Sequence, residues 1–137
     1  MRHRKQNKKL GRSKSHREQL ISMLVVGLIK SMSIQTTLTK AKVARQLAEK
    51  MVTTARKGDV ASRRRIMARL QDDAAVKKLF DTIVPIMDGR PGGFTRITKL
   101  GRRMSDSSEM CVLAWVTEKY ETKSETTPSA EVPAVEA

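Results

Sequence analysis

Charge is spread along this 137-residue chain in a way that limits what it can fold into unaided. Residues 1–104 hold 26 Lys and Arg against 7 Asp and Glu, a net of +19. Residues 105–137 hold 2 against 7, a net of −5, and the whole chain carries +14. A body this positive repels itself unless a polyanion lies close by. Nucleic acid is the first expectation and an anionic membrane surface the second.

A membrane fits poorly. The longest apolar run is Met23 to Ile29, interrupted at Gly27, far short of the ~20 residues a helical span needs. Residues 2–17 are basic, but no compact apolar segment with a signal-type cleavage site follows, so a reducing cytoplasm is expected. Cys111 is the single cysteine, which rules out an intramolecular disulfide and a cysteine-based metal site.

Three regions are expected: a basic arm over 1–14, a folded body over 15–117, and an acidic, disordered tail over 118–137. The arm, MRHRKQNKKLGRSK, has seven Lys or Arg and no acid, too little apolar surface to fold alone. The tail, rich in Glu, Ser, Thr, Pro and Ala, has no large apolar periodicity.

Within the body, Ser15 and Glu18 have capping-box spacing and are expected to open a helix from His16 to Ser31. Leu20, Ile21, Leu24, Val25, Leu28 and Ile29 recur with helical period, and Gly27 suggests close packing against another element. Ile34 to Leu38 alternates like a short strand. Thr39 is expected to cap a second helix to Lys57, with Gly58 as its stop. Asp59 is placed to cap a third, Val60 to Leu70. Asp72 or Asp73 is placed to cap a fourth, continuing to Val84, where Pro85 discourages continuation. Phe94 to Leu100 and Met110 to Val116 are candidate strands beyond a Gly- and Pro-containing loop. In that loop Gly92 and Gly93 suit either tight turning or a close approach to RNA.

Chemistry is thinly represented. His3 and His16 are the only histidines and lack an acidic cluster, so they make a poor metal site. Backbone or phosphate hydrogen bonding suits them better. Asp72-Asp73 stands where helix caps belong, which favours capping over paired-carboxylate catalysis. Cys111 alternates with apolar neighbours and reads as a small core residue. No phosphate-binding loop, nucleophile elbow or dinucleotide fingerprint is present, and neither a cofactor nor a small-molecule substrate is expected. Phe80, Phe94, Trp115 and Tyr120 are the only aromatics, too few for a base-stacking platform. Recognition is therefore expected to go through RNA backbone and shape.

Candidate RNA-binding residues are Arg2, His3, Arg4, Lys5, Lys8, Lys9, Arg12, Lys14, His16 and Arg17 in and next to the arm. Arg65 and Arg69 belong on an exposed helix face, free to bind phosphate or to remain solvated. Arg63 is placed beside the apolar stripe, its head snorkelling outward. Arg90, Arg96, Lys99, Arg102 and Arg103 form a possible second patch on the sheet-side loops. The competing reading is a nucleoid or other DNA-binding protein, with the third and fourth helices as a helix-turn-helix. Its recognition helix would open with Asp72-Asp73, badly placed against phosphates.

Several segments occur together in one order: MRHRKQNKKLGRSKSHR, IQTTLTKAK, EKMVTTAR, DVASRRRIMARLQDDAAVKKLF and RPGGFTRITKLGRR. Together they resemble the bacterial large-subunit ribosomal protein L-seventeen family over residues 1–117. Thr39 stands where that family commonly has Pro, and Phe94 where Tyr is common, which loses a hydroxyl that could bond RNA. The resemblance implies an α+β fold: a two-layer body with a small mixed three-stranded sheet covered on one face by about four helices. It further implies a structural role in the large subunit, near the polypeptide exit. The implied partners are large-subunit ribosomal RNA and neighbouring ribosomal proteins.

Overall fold

The structure is a computed structural model, and residues 8–118 are described. The expected tail beyond Glu118 and the first half of the arm lie outside the described residues.

The order is α1 (Lys14–Ser31), β1 (Ser33–Thr37), α2 (Leu38–Ala55), α3 (Val60–Leu70), α4 (Asp73–Lys78), a π-helical turn (Leu79–Ile83), α5 (Val84–Ile86), β2 (Thr95–Arg102) and β3 (Glu109–Trp115). The fold class is α+β, as expected. The sheet is not mixed. Its order is β1-β3-β2 and both pairings are antiparallel. A short hairpin joins β2 to β3, which forces that pair antiparallel, and β1 adds to the far edge of β3 in the same sense.

Helix boundaries follow caps that differ in part from the expected ones. α1 starts at Lys14 after Ser13, so Ser15 lies within the helix and the capping box does not form. Glu18 pairs with Arg69 instead, at 3.7 Å. Thr37, not Thr39, precedes α2, which ends β1 one residue early. Asp59 caps α3 as expected, its carboxylate accepting from the Ser62 amide at 3.2 Å. Asp72 caps α4, accepting from the Ala75 amide at 2.8 Å. Helical structure then passes Pro85 to Ile86 by widening into the π-turn, and Pro85 falls in the first turn of α5, where a missing N–H costs little.

The core lies between the helices and one face of the sheet. Val25, Leu28 and Ile29 of α1, Ala44, Ala48 and Val52 of α2, and Val76, Leu79 and Ile83 are all buried. On β3, Cys111, Leu113 and Trp115 point inward and are buried, while Met110, Val112 and Ala114 on the other face are half-buried. Cys111 is the small core residue expected, and burial pushes its thiol pKa up. The Trp115 ring N–H donates to the Leu28 carbonyl at 3.1 Å and its backbone N–H to Met32 O at 3.1 Å, which pins β3 to the end of α1.

Gly27 departs from expectation, and Gly93 takes one of its two expected roles. A methyl added at Gly27 would meet Ile34 Cγ2 at 3.8 Å, an ordinary contact, so no close approach demands glycine there. Gly93 has φ +66, which makes turning its reason, whereas Gly92 has neither a positive φ nor a neighbour within 4 Å.

Glu49 was absent from the expected determinants. It reaches from α2 to the start of β2, where its carboxylate accepts from the Phe94 amide (3.3 Å), the Thr95 amide (3.2 Å) and the Thr95 hydroxyl (2.8 Å). These donors belong to buried residues, so losing the acceptor leaves them unpaired. Glu49→Ala is expected to lower stability by roughly 1.5–3 kcal/mol, and Glu49→Gln by less, since one oxygen remains. Urea unfolding at neutral pH checks this, and a loss under about 0.5 kcal/mol for Glu49→Ala would contradict it.

Candidate nucleic-acid interface

Among residues 8–118 there are 23 basic and 10 acidic side chains. Even with every acid paired, at least 13 cations remain without a carboxylate. Which cations are engaged internally therefore decides what the surface can bind.

Of the arm's candidate residues, Arg2, His3, Arg4 and Lys5 lie outside the described residues, while Lys8, Lys9, Arg12 and Lys14 lie within them. The chain here turns rather than runs straight. Leu10 and Gly11 take positive φ (56° and 61°), and the Arg12 amide donates to Lys9 O at 3.2 Å. Arg12 Nη1 donates to Leu10 O (2.9 Å), and Arg17 Nη1 to Arg12 O (3.1 Å) and to Lys9 O (3.5 Å). Two arginines thus brace the entry to α1. Lys8, Lys9 and His16 are exposed around it.

The second expected patch divides. Arg103 is held by Asp106 through Nε at 2.9 Å and Nη2 at 2.7 Å. Asp106 also accepts from the Ser108 hydroxyl at 2.7 Å and the Ser108 amide at 3.2 Å. The Arg103 hydrogen bond, then those of Ser108, hold the Asp106 carboxyl far below its usual pKa, and Asp106 raises that of Arg103. Arg96 pairs with Glu118 at 3.7 Å, and Arg90 donates to Glu118 O at 2.9 Å. Lys99 and Arg102 are exposed. The hairpin therefore uses Arg103 to build its own tip, which carries Met104 fully exposed. Leu100 is the extra residue of a bulge between Lys99 and Gly101, where Gly101 has φ +103, and it too is exposed.

On α3, Arg64 and Arg65 are exposed, and Arg69 is half-buried beside Glu18. Arg63 lies over the Phe80 ring, 4.6 Å from its centroid, the snorkelling cation expected from its place beside the apolar stripe. Arg56 likewise covers the buried Phe94 ring at 4.7 Å and donates to Met87 O. The position where a tyrosine hydroxyl was weighed for RNA thus lies under a guanidinium. Phe94 and Trp115 are buried and Phe80 is covered, so no exposed aromatic platform exists among the described residues.

The expected list omitted the exposed lysines of α2 and its exit, Lys42, Lys50 and Lys57. Their signal was helical spacing without an intervening acid on that face, easily lost beside denser runs of charge. The helix-turn-helix comparison fails at Asp72, which caps α4 and holds Lys30 at 2.6 Å, with Asp73 next to it. No group of three or more His, Cys, Asp or Glu suited to a metal occurs among the described residues, and no described helix is long and apolar enough to cross a membrane.

Because the folded-state pKa of Asp106 is depressed, its ionised network is present above the ordinary carboxylate range. It is lost only as pH falls through the lower folded value. Asp106→Asn is expected to speed amide exchange at Ser107 and Ser108 at neutral pH while leaving β1 amides unchanged. Equal protection in variant and parent would contradict the tip network.

Comparison with known proteins points to one family. Residues 20–116 match the family model of ribosomal protein L17. Large ribosomal subunit protein bL17 of Alkaliphilus metalliredigens is 47% identical over 111 residues, covering 81% of this chain and 98% of that protein. Its namesake from Methylacidiphilum infernorum is 44% identical over 115 residues, covering 84% and 88%. That of Azorhizobium caulinodans is 44% identical over 123 residues, covering 90% and 88%. With the match extending from the middle of α1 past the end of β3, the chain belongs to the ribosomal protein L17 family.

Proposed function

We propose that this chain is a structural constituent of the large ribosomal subunit. In this reading it binds and stabilises folded ribosomal RNA through its basic N-terminal segment and basic loops, in the cytoplasmic ribosome. One observation carries it: 23 cations against 10 acids over residues 8–118, a surplus of 13. Such a surface is complementary to a phosphate backbone. The shortage of exposed aromatics favours backbone and shape over splayed bases. The acids that open α4 favour folded RNA over the major groove of DNA. Neighbouring ribosomal proteins near the polypeptide exit are the further partners, and the role is one of binding and not of catalysis.

The test is RNA affinity against salt. With about 6–10 phosphates neutralised, affinity for folded large-subunit RNA should fall roughly 10³–10⁵-fold between 50 and 200 mM salt. Deleting residues 2–14 removes seven cations, so it should weaken binding and flatten that dependence together. Deleting residues 121–137 removes four acids and one base, so binding should hold or tighten slightly. A nearly flat salt dependence, or equal affinity for duplex DNA at matched salt, would overturn the reading.

A further inference from the structure

Resting on the RNA-binding reading above, we propose that the seam between α2 and α3 is a separate contact for the backbone of an RNA double helix. At 100° per residue, Lys42, Gln46, Lys50 and Thr53 fall within about 80° of one another on α2. All four are exposed, on the side away from buried Ala44, Ala48, Val52 and Ala55. Lys57, two residues beyond the helix, extends the row and is exposed as well. Lys42 and Lys50 are about 12 Å apart along the axis.

This row contains no acid. Glu49, the only acidic residue of α2, is turned to the start of β2, where it receives Phe94 and Thr95. None of the three side-chain ammonium groups has an ion-pair or hydrogen-bond partner among the described residues. α3 borders the row with cations of its own. Lys50 and Arg69 line one small cavity with Glu18 of α1, which pairs with Arg69, while Arg65, one turn before Arg69, is exposed. Cations thus stand on both sides of one seam.

The segregation is local. α4 and the turn after it alternate in sign, with Asp73, Lys77, Lys78 and Asp81. The outer edge of α1 is bordered by Asp72, which holds Lys30, and Met23 is exposed there. A fixed, acid-free row of lysines with Arg65 exposed beside it is complementary to phosphates. Without exposed aromatics to hold unstacked bases, the ligand is duplex, met across the shallow groove where side chains reach 2′-hydroxyls and phosphates.

The experiment uses the full chain and folded large-subunit RNA, with affinity measured from 50 to 200 mM salt and hydroxyl-radical footprints of each complex. The triple variant Lys42→Gln, Lys50→Gln, Lys57→Gln is compared with the deletion of residues 2–14 and with Lys77→Gln outside the seam. Circular dichroism melting confirms that each folds, and single Lys50→Gln stands in if the triple variant does not. The triple variant should reduce the salt slope by roughly 2.7, about 0.9 per lost contact, and lose protection of one RNA segment. The arm deletion should keep that segment protected, and Lys77→Gln should change neither readout. A triple variant with unchanged slope and footprint, beside an arm deletion that does weaken binding, overturns the seam while leaving the general RNA reading in place. Absence of salt-dependent binding in the parent protein overturns both.

Discussion

Ten carboxylates must serve a body with 23 cations, and their placement decides both the fold and the surface left over. Glu49 clamps β2 to α2, Asp59 and Asp72 start helices, and Asp106 shapes the hairpin tip. Each accepts from backbone N–H groups, which otherwise lack partners at helix starts and strand ends. Three of these acids also pair with surface cations, Asp72 with Lys30, Glu49 with Arg45 and Asp106 with Arg103, so the lysines of the outer α2 face are left without carboxylates. A single residue type thus links local structure to electrostatics: with ten carboxylates, several of them placed at caps, clamps and ion pairs, against 23 cations, whole faces are left without an acid.

The apolar side of the fold is simpler. α1 and α2 lay their inner stripes on β3, and Trp115 ties the last strand back to the end of α1 through Leu28 and Met32. Because β3 is central and late in the chain, the sheet closes only after β2 and β3 have been made. Long-range pairing of this kind is slower to form than helix–helix contact.

Much of this was legible in the sequence because local chemistry and global packing agree. Asp59 and Asp72 cap where their spacing before apolar periods says they must, and the β3 alternation Cys111, Leu113, Trp115 reads directly as a core face. The misses have physical causes. Ser15 and Glu18 have capping-box spacing, but Glu18 is drawn to Arg69, and the helix begins one residue before Ser15. The π-turn and the bulge at Leu100 each absorb an extra residue, which composition does not mark. Glu49 meets donors 45 and 46 residues away, a separation no local pattern encodes. Among the candidate binding residues, Lys99, Arg102 and Arg65 stand exposed, whereas Arg69, Arg96 and Arg103 have carboxylate partners. The clustered arginines stand out as runs in the sequence, while lysines spaced along α2 share one face only in three dimensions.

The central claim is that the surplus of 13 cations over residues 8–118 faces ribosomal RNA. The most direct test is lysine acetylation of the free protein and of intact large subunits, read by mass spectrometry. Lys42, Lys50, Lys57 and Lys99 should react readily in the free protein and become protected in the subunit. Lys30, held to Asp72 at 2.6 Å, should react slowly in both. Equal reactivity of the four exposed lysines in free and subunit-bound protein would contradict the account.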